Sequence, residues 1–325
     1  MTDLICWGHN PGQRFVKDCI TVNGKRRDLR PYPAIIAPWA VSDDTGLGKR
    51  VKDLTAIVSG ARYIGGDAAE RLPLANRQQA RGRLDSDSPI YEALAQMSAQ
   101  HANIAGHNGN RPRVLIVSAL PAGWRDADAE AQLRTHLRRA LADMVQIEDV
   151  LVQSEPNAVV GSELLDDDGD IRTDQTALAS GLVCVGDIGG GTLNRSVLDR
   201  LRALPGQAAS PDLGSGMVVR DLAQRDGSQY IDAERRLEQA VRTPGRDGLA
   251  DALLRQYRER VVTEFQEAWK PYRAALKLFA GGTVHWVASD LTRAFDGARI
   301  VAKPQMAIAI GLWRYARRKA KRGAA

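Results

Sequence analysis

The sequence predicts an α/β protein of two related lobes, and three observations predict it. Val114-Leu115-Ile116-Val117 and Leu182-Val183-Cys184-Val185 are short all-apolar runs, the signature of strands covered on both faces. A pattern of strand, tight glycine turn and returning strand occurs around Gly12 and again around Gly190, each time followed by helical sequence, so one design is used twice. Leu249, Leu253, Tyr257, Val261, Phe265 and Trp269 recur every four residues, one face of a long helix. Mixed sheets with helices packed on them accommodate all three. The 325 residues match about two domains at roughly 150 residues each. The expected division is 1–165, a first lobe with a small inserted subdomain, and 166–325, a second lobe with a cleft between the two.

The elements follow in order along the chain. Leu4-Ile5-Cys6-Trp7 is a strand, Pro11-Gly12 a turn, 15–22 a second strand, Asn23-Gly24 a second turn and 33–37 a third strand. Asn-Gly between β-type runs is the strongest short hairpin signal. Residues 43–53 are polar and glycine-containing, hence loop; 55–63 returns to β character before Gly65-Gly66, and a helix starts near Asp67. Ile90, Leu94 and Met97 place a helix over 89–101, and 102–113 is a connection rich in glycine and asparagine. The strand at 114–117 ends in Pro121-Ala122-Gly123. A helix then runs through Leu133, Leu137 and Leu141, followed by a strand over 147–152. Glu155-Pro156-Asn157-Ala158 opens an apolar stretch reaching Leu165, with Pro156 suited to the first helical turn. Residues 166–176 form an acidic surface loop. The strand at 182–185 ends in Gly186-Asp187-Ile188-Gly189-Gly190-Gly191-Thr192 and returns over 195–199. After the long helix, 276–280 is a strand ending in Gly281-Gly282-Thr283, Ile300-Val301 a last short strand and 306–316 a last helix.

Composition excludes several classes. A hydrophobic fraction of 44% with 26% charged residues, and a mean hydropathy of −0.31, describe an ordinary folded chain. No run approaches the ~18–20 apolar residues of a membrane span, and residues 1–10 lack a basic segment leading into an apolar one, so a cytoplasmic protein without a membrane partner is expected. Cys6, Cys19 and Cys184 lack zinc-site spacing and read as buried thiols. Forty-five basic against 39 acidic residues leave a net charge of +6 and a pI near 9.3, which permits acidic partners. Much of the excess is Arg314, Arg317, Arg318, Lys319, Lys321 and Arg322. These are expected to form a solvated last helical turn and a frayed tail, with a DNA or DNA-adaptor surface as the functional alternative.

Three glycine turns follow strands: Pro11-Gly12, Gly189-Gly190-Gly191-Thr192 and Gly281-Gly282-Thr283. Singly each is a tight turn. Jointly they suit a polyphosphate, because without a Cβ successive backbone N–H groups approach phosphate oxygens closely. Asp187, ending a buried strand before the triple glycine, is the candidate for Mg²⁺, which keeps several waters and takes a carboxylate directly or through water. Glu155 is the candidate to orient a water for in-line attack on a terminal phosphate, and Lys17 the point charge for a phosphate. Gly46-Leu47-Gly48-Lys49-Arg50 lacks P-loop spacing and reads as a loop; the five histidines show no metal-ligand spacing, and no G-x-S-x-G elbow occurs.

These residues resemble the actin-like ATPases, especially the ParM/StbA-type plasmid-segregation actins and their short archaeal relatives. Asp187-Ile188-Gly189-Gly190-Gly191-Thr192 is similar to the second phosphate motif of the actin, heat-shock chaperone and sugar-kinase superfamily, and is the sharpest match. Asn10-Pro11-Gly12 with Lys17 resembles the first phosphate motif, Glu155-Pro156 the segment with the water-orienting residue, Leu278 to Thr283 the adenosine motif, and Pro304 to Tyr315, with Gly311, the closing helix. Tyr63-Ile64-Gly65-Gly66-Asp67-Ala68 and Val117 to Pro121 resemble two further family segments, so the resemblance spans essentially the whole chain. It departs at Asn10, where the family has an aspartate that helps hold the hydrated Mg²⁺; the amide removes one negative charge there.

The resemblance implies two actin-like, ribonuclease-H-like lobes with ATP (or GTP) and Mg²⁺ in the cleft. Asp187 and Asn10 would act on the metal through water, and Gly12, Lys17, Gly189, Gly190, Gly191 and Thr192 on the phosphates. Gly281, Gly282 and Thr283 would lie against the adenosine. It further implies ATP hydrolysis, expected to be slow because Asn10 replaces the aspartate, and nucleotide-dependent self-assembly into filaments for DNA segregation or scaffolding. Glu234 and Glu238, on the helix after Gly216, read first as solvated helix positions, with a ribose contact as the alternative. Two alternatives stay open: a small-molecule kinase of the same superfamily, and a nucleotide-dependent scaffold without hydrolysis.

Overall fold

The structure, a computed structural model, describes residues 4–12, 14–40, 53–79, 88–104 and 111–324. The loop-like Gly46-Leu47-Gly48-Lys49-Arg50 and His107 lie outside the described residues. The chain divides into two compact units. The first comprises Met1–Leu120, Trp124–Arg172 and Ile308–Ala325, the second Pro121–Gly123 and Thr173–Ala307.

In the first unit, β1 (Ile5–Pro11) pairs antiparallel with β2 (Phe15–Val22) and parallel with β9 (Arg113–Leu120). β2 continues to β3 (Lys25–Asp28), and β9 to β10 (Gln146–Ser154), giving the order β10-β9-β1-β2-β3, with β4 (Tyr32–Pro33) beside β2. Asn23 and Gly24, at φ of 49° and 74°, make the β2–β3 turn, the backbone that Asn-Gly favours in a two-residue hairpin. β3 was not expected from the sequence: Lys-Arg-Arg-Asp has no apolar alternation, because at the sheet's edge it is paired on one side only. A second sheet, ordered β6-β7-β5-β8, combines β5 (Ile35–Pro38), β6 (Thr55–Val58), β7 (Ala61–Gly65) and β8 (Gln78–Gln79). The expected single β stretch over 55–63 is thus a hairpin, broken at Ser59-Gly60 where both residues take positive φ.

Helix α1 (Gly66–Glu70) begins where the sequence placed it, and α2 (Ile90–His101) buries Ile90, Leu94 and Met97 against Val16, Tyr32 and Ile36. Helix α3 (Ala127–Leu141) is capped by Asp126, whose carboxylate accepts the Ala129 N–H at 2.8 Å; it buries Leu133, Leu137 and Leu141. Ser154 caps α4 (Glu155–Leu164), which has Pro156 in its first turn. The last helix, α10 (Ala307–Ala324), packs with this unit rather than with the second lobe as expected. It does so by close approach. A Cβ on Gly8 would lie 2.2 Å from the Ala309 carbonyl oxygen, and one on Gly311 would lie 1.8 Å from that of Ala158. Trp313 adds an Nε1–H bond of 3.0 Å to Thr21 Oγ1. The helix also continues through the basic segment, where a frayed tail was expected.

The second unit repeats the first sheet's plan. After α5 (Thr176–Ser180), β11 (Leu182–Ile188) pairs antiparallel with β12 (Leu193–Asp199) and parallel with β14 (Leu276–Ala280). With β13 (Arg202–Ala203) and β15 (Ala298–Ile300) the order is β15-β14-β11-β12-β13, matching β10-β9-β1-β2-β3 pair for pair and in direction. The internal repeat expected from the glycine turns is therefore a repeat of topology.

Helices α6 (Ser215–Asp226), α7 (Tyr230–Arg242) and α8 (Gly248–Trp269) share this unit's core. α8 buries Leu253, Tyr257, Val261, Phe265 and Trp269 as its four-residue spacing requires. Phe265 stacks on Trp269 with ring centroids 4.6 Å apart and meets Phe279 edge-on at 5.2 Å. The short α9 (Ala288–Ala294) precedes β15. The three cysteines are buried free thiols; desolvation pushes Cys6 up to about 11 and Cys184 up to about 12. No helix among the described residues is long and apolar enough to cross a membrane.

Candidate functional site

In both sheets the chemistry-bearing turns stand at the C-terminal ends of parallel strands, where open α/β sheets place their ligands. In the first unit Asn10 lies opposite Lys17 across the β1–β2 pair, so both side chains leave the same face. The Gly12 N–H donates to the Asn10 carbonyl at 2.9 Å and closes the turn. A Cβ on Gly12 would sit 2.9 Å from the Phe15 carbonyl oxygen and 3.8 Å from Lys17 Nζ, so the missing side chain keeps the ammonium and the turn together. Asn10 is 2% exposed. Lys17 is half-buried, and its ammonium has no hydrogen-bond or ion-pair partner among the described residues. An unpaired, partly desolvated ammonium beside a glycine turn is suited to an anion.

The opposite face of this hairpin holds a polar group that sequence reasoning missed. Asp18, fully buried, accepts a hydrogen bond from Trp7 Nε1 at Oδ1 (2.9 Å) and one from Ser98 Oγ at Oδ2 (2.7 Å), and His9 Nδ1 lies 2.7 Å from Oδ1. Three partners meet the demand a buried carboxylate makes. The Tyr32 hydroxyl joins at 2.7 Å from Ser98 Oγ; burial, reinforced by the Asp18 charge, pushes its pKa well up. The network ties β1, β2 and α2 together directly beneath the turn that carries Asn10. Its sequence signal is an aspartate within β2, at a position that alternation puts on the buried face.

Glu155, first residue of α4, follows the end of β10, two strands from β1 at the same sheet edge. It is 8% exposed. Tyr91 titrates above its ordinary value, first through burial and then through the Glu155 charge.

In the second unit the expected residues come together around the end of β11. Asp187, half-buried, lies opposite Asn194, whose Nδ2 donates to Asp187 Oδ2 at 3.3 Å. The turn closes with Gly189 N–H on the Thr192 carbonyl at 3.0 Å. Gly281, at φ 109°, would with a Cβ strike the Ile188 carbonyl oxygen at 2.2 Å, so only glycine lets the 281–283 turn lie against the 189–192 turn. Thr283 fastens them: its Oγ1 donates to the Ile188 carbonyl at 3.0 Å.

A third segment was missed as part of this site, the start of α6. The N–H groups of Ser215 and Gly216 donate to the Gly189 and Gly190 carbonyls at 3.1 and 2.8 Å, and a Cβ on Gly214 would lie 2.4 Å from the Gly191 carbonyl carbon. Ser215 Oγ is buried with no partner among the described residues. The signal for this segment was Gly-x-Gly before a helix.

Beyond the 281–283 turn, Glu238 of α7 accepts from Trp286 Nε1 at 2.9 Å and pairs with His285 Nε2 at 3.1 Å. Glu238, one of the two candidate ribose contacts, is thus in direct contact with the segment following this turn. Glu234 and Glu238 also line a cavity of about 610 Å³ on α7. The His285 hydrogen bond, aided by that of Trp286 and opposed by burial, holds the Glu238 carboxyl below its ordinary 4.5. A lowered folded-state pKa contributes stability above 4.5 that is lost as pH falls from there through the folded value. Glu238→Gln is therefore expected to lower stability at neutral pH and to flatten its fall as pH drops below 4.5. Urea unfolding across that range measures it; an acid limb as steep as the parent's would contradict the pairing.

No group of three or more His, Cys, Asp or Glu that could hold a metal ion occurs among the described residues. The single half-buried carboxylate of Asp187 fits an ion that keeps most of its water, as Mg²⁺ does, and not a caged Ca²⁺ or Zn²⁺.

No family model matches the chain, and no curated protein does. Solved structures do. The actin-like protein Alp7A superimposes with a TM-score of 0.73 at 14% identity, over 99% of this chain and 98% of that one. The archaeal actin homologue Ta0583 gives 0.70 at 16%, over 98% and 100%, and Bacillus thuringiensis ParM with ATP 0.66 at 14%, over 99% and 100%. At such identities the likeness is one of fold: the chain has the two-lobed actin-like fold of the ParM type.

Proposed function

We propose that this actin-like chain binds Mg-ATP, hydrolyses it slowly and assembles into nucleotide-dependent filaments that serve DNA segregation or scaffolding. The observation that carries the reading is the meeting of three glycine segments, 189–192, 214–216 and 281–283, around Asp187 at the end of β11. The glycines let these backbone segments pack directly on one another beside Asp187, since a Cβ on Gly214, Gly216 or Gly281 would strike the neighbouring segment's backbone. Lys17, beside the Gly12 turn, and the backbone N–H groups of Gly190, Gly191 and Thr192, which follow the closing Gly189 bond, take up phosphate charge. Asp187 and Asn10 accept hydrogen bonds from metal-bound waters, and Glu155 orients the attacking water. Gly281, Gly282 and Thr283 lie against the adenosine, with Glu238 on the ribose. When bound, Mg²⁺ neutralises charge developing on the phosphates.

Support for the nucleotide comes from Bacillus thuringiensis ParM, solved with ATP, and Ta0583, solved with ADP; GTP is the alternative ligand. Asn10 supports slow turnover and also favours a second reading, a scaffold that binds nucleotide without hydrolysing it. The same proposal includes a DNA or DNA-adaptor contact through the basic end of α10.

High-speed pelleting with light scattering and phosphate release, at micromolar protein with Mg²⁺ and no nucleotide, ATP, ADP or GTP, tests the proposal. Pelleting that requires ATP or GTP, with slow phosphate release, is expected. Pelleting without release selects the scaffold. Release or binding without pelleting selects a kinase or monomeric switch, and no nucleotide response overturns the whole reading.

A further inference from the structure

Residues 314–322 of α10 carry six cations, Arg314, Arg317, Arg318, Lys319, Lys321 and Arg322, and no carboxylate. Residues 166–170 carry four carboxylates around one glycine. The two segments are clasped together. Asp167 Oδ1 accepts from Arg314 Nη2 at 2.7 Å and from Arg26 Nη1 of β3 at 2.8 Å. Arg317 Nη2 meets Asp168 Oδ1 at 3.1 Å, Arg318 Nη1 donates to the Gly169 carbonyl at 2.9 Å, and Lys321 Nζ donates to Asp170 Oδ2 at 2.6 Å. The loop is pre-shaped for this. Asp166 Oδ1 accepts the N–H groups of Asp168 and Asp170, both at 2.9 Å. Gly169, at φ 79°, lies flush on the helix, where a Cβ would come within 2.4 Å of the Arg318 amide nitrogen.

The clasp has two grades. Arg314 and Arg26 are 12% and 21% exposed, so Asp167 joins partly buried groups and belongs to the packing of the unit. Asp167 itself is 52% exposed; the outer pairs are more open, with Asp168 at 74% against 27% for Arg317, and Asp170 and Lys321 at 53% and 59%. Pairs of that exposure add little net stability and are screened by salt. Lys319 and Arg322 have no partner among the described residues. The outer loop therefore covers the cations without consuming much of their binding capacity.

We propose that the outward face of α10, Arg317, Arg318 and Lys321 with Lys319 and Arg322, is a surface for the phosphates of double-stranded DNA, which residues 168–170 occupy in the free chain as a tethered competitor. This deepens the DNA contact proposed above and is independent of the nucleotide reading. A tethered competitor acts at high effective concentration and so weakens apparent binding without any change of fold. A lipid surface fits less well, because the large apolar side chains here, Trp313 and Tyr315, are turned inward and an interfacial helix needs an exposed apolar face.

The test is fluorescence anisotropy of a labelled duplex of about 30 base pairs with the full chain across a salt series. Asp168→Asn with Asp170→Asn, which leaves Asp167 and its packing in place, is expected to bind about tenfold tighter near 0.1 M salt, with a log–log salt slope steeper by about two. The charge-matched control, Asp143→Asn with Asp296→Asn, is expected to change affinity less than about twofold. Adding Arg317→Ala and Lys321→Ala to the first variant is expected to abolish its gain. Equal binding by parent and variant, an equal gain in the control, or no binding by either would each overturn the proposal. So would phosphatidylserine vesicles that capture the variant as well as the duplex does. The pelleting assay reads the nucleotide reading separately, so the two fail independently.

Discussion

Asp187→Ala is expected to lower phosphate release about 100-fold or more while leaving the fold intact. Its carboxylate makes one long side-chain bond, 3.3 Å from Asn194, and is half-buried, so little of the unit's packing depends on it. In its proposed role of holding metal-bound water, Asp187 acts on the chemical step and not on folding. The unfolding temperature should stay within about 2 °C of the parent while turnover falls. Asn10→Asp is the complementary change. It restores a negative charge beside Lys17 and is expected to raise Mg²⁺-dependent release about tenfold, a gain a neutral turn residue would not give. Single-turnover phosphate release with a nucleotide-binding control measures both. Unchanged release in Asp187→Ala would remove Asp187 from the site.

Gly311→Ala is expected to be strongly destabilising, its Cβ making the closest approach of any glycine among the described residues. Its Cβ would stand 1.8 Å from the Ala158 carbonyl oxygen and 3.0 Å from the Ser162 nitrogen, both helix backbone that cannot turn aside. Helices α10 and α4 would have to separate, and α10 is also held at Gly8 on β1 and by Tyr315 against Gly161. Overpacking of backbone against backbone should cost about 3 kcal/mol or more, lowering the unfolding temperature by about 6–12 °C. Gly248→Ala is the control. It stands at the start of α8 with nothing within 4 Å of its Cβ, so it is expected to be neutral or stabilising by up to about 1 kcal/mol. Thermal unfolding of the two variants checks this; equal effects would mean that the α4–α10 approach is not tight.

Much of the fold was legible because local chemistry specified it. β2 lies over 15–22 as read, since a run of β-type residues between two turn signals has one local solution, and Asn23-Gly24 makes the hairpin its backbone preference dictates. The α8 stripe was read correctly because its spacing presents one apolar face, and that face is buried. β3 was illegible because a charged edge strand carries no burial pattern. The break at Ser59-Gly60 was missed because β6 and β7 together resemble one longer strand.

The site divides along the same line. Asp187 with its glycine turn, and Gly12 near Lys17, were legible because their signals are contiguous or nearly so. The Asp18 network and the Gly214-Ser215-Gly216 segment were not, because their partners lie far away in sequence: Ser98 is 80 residues from Asp18, and Gly190 meets Gly216 across a whole strand and loop.

By itself the sequence determined the elements, the doubled strand-turn-strand plan and the positions of the glycine turns, all consequences of residue preferences over a few neighbours. Only the tertiary structure decided that the closing helix belongs to the first unit, that three separate glycine segments share one cradle, and that the basic segment is covered by an acidic loop. Each of those depends on close approach or charge pairing between groups distant along the chain, and such contacts have no spacing to be read.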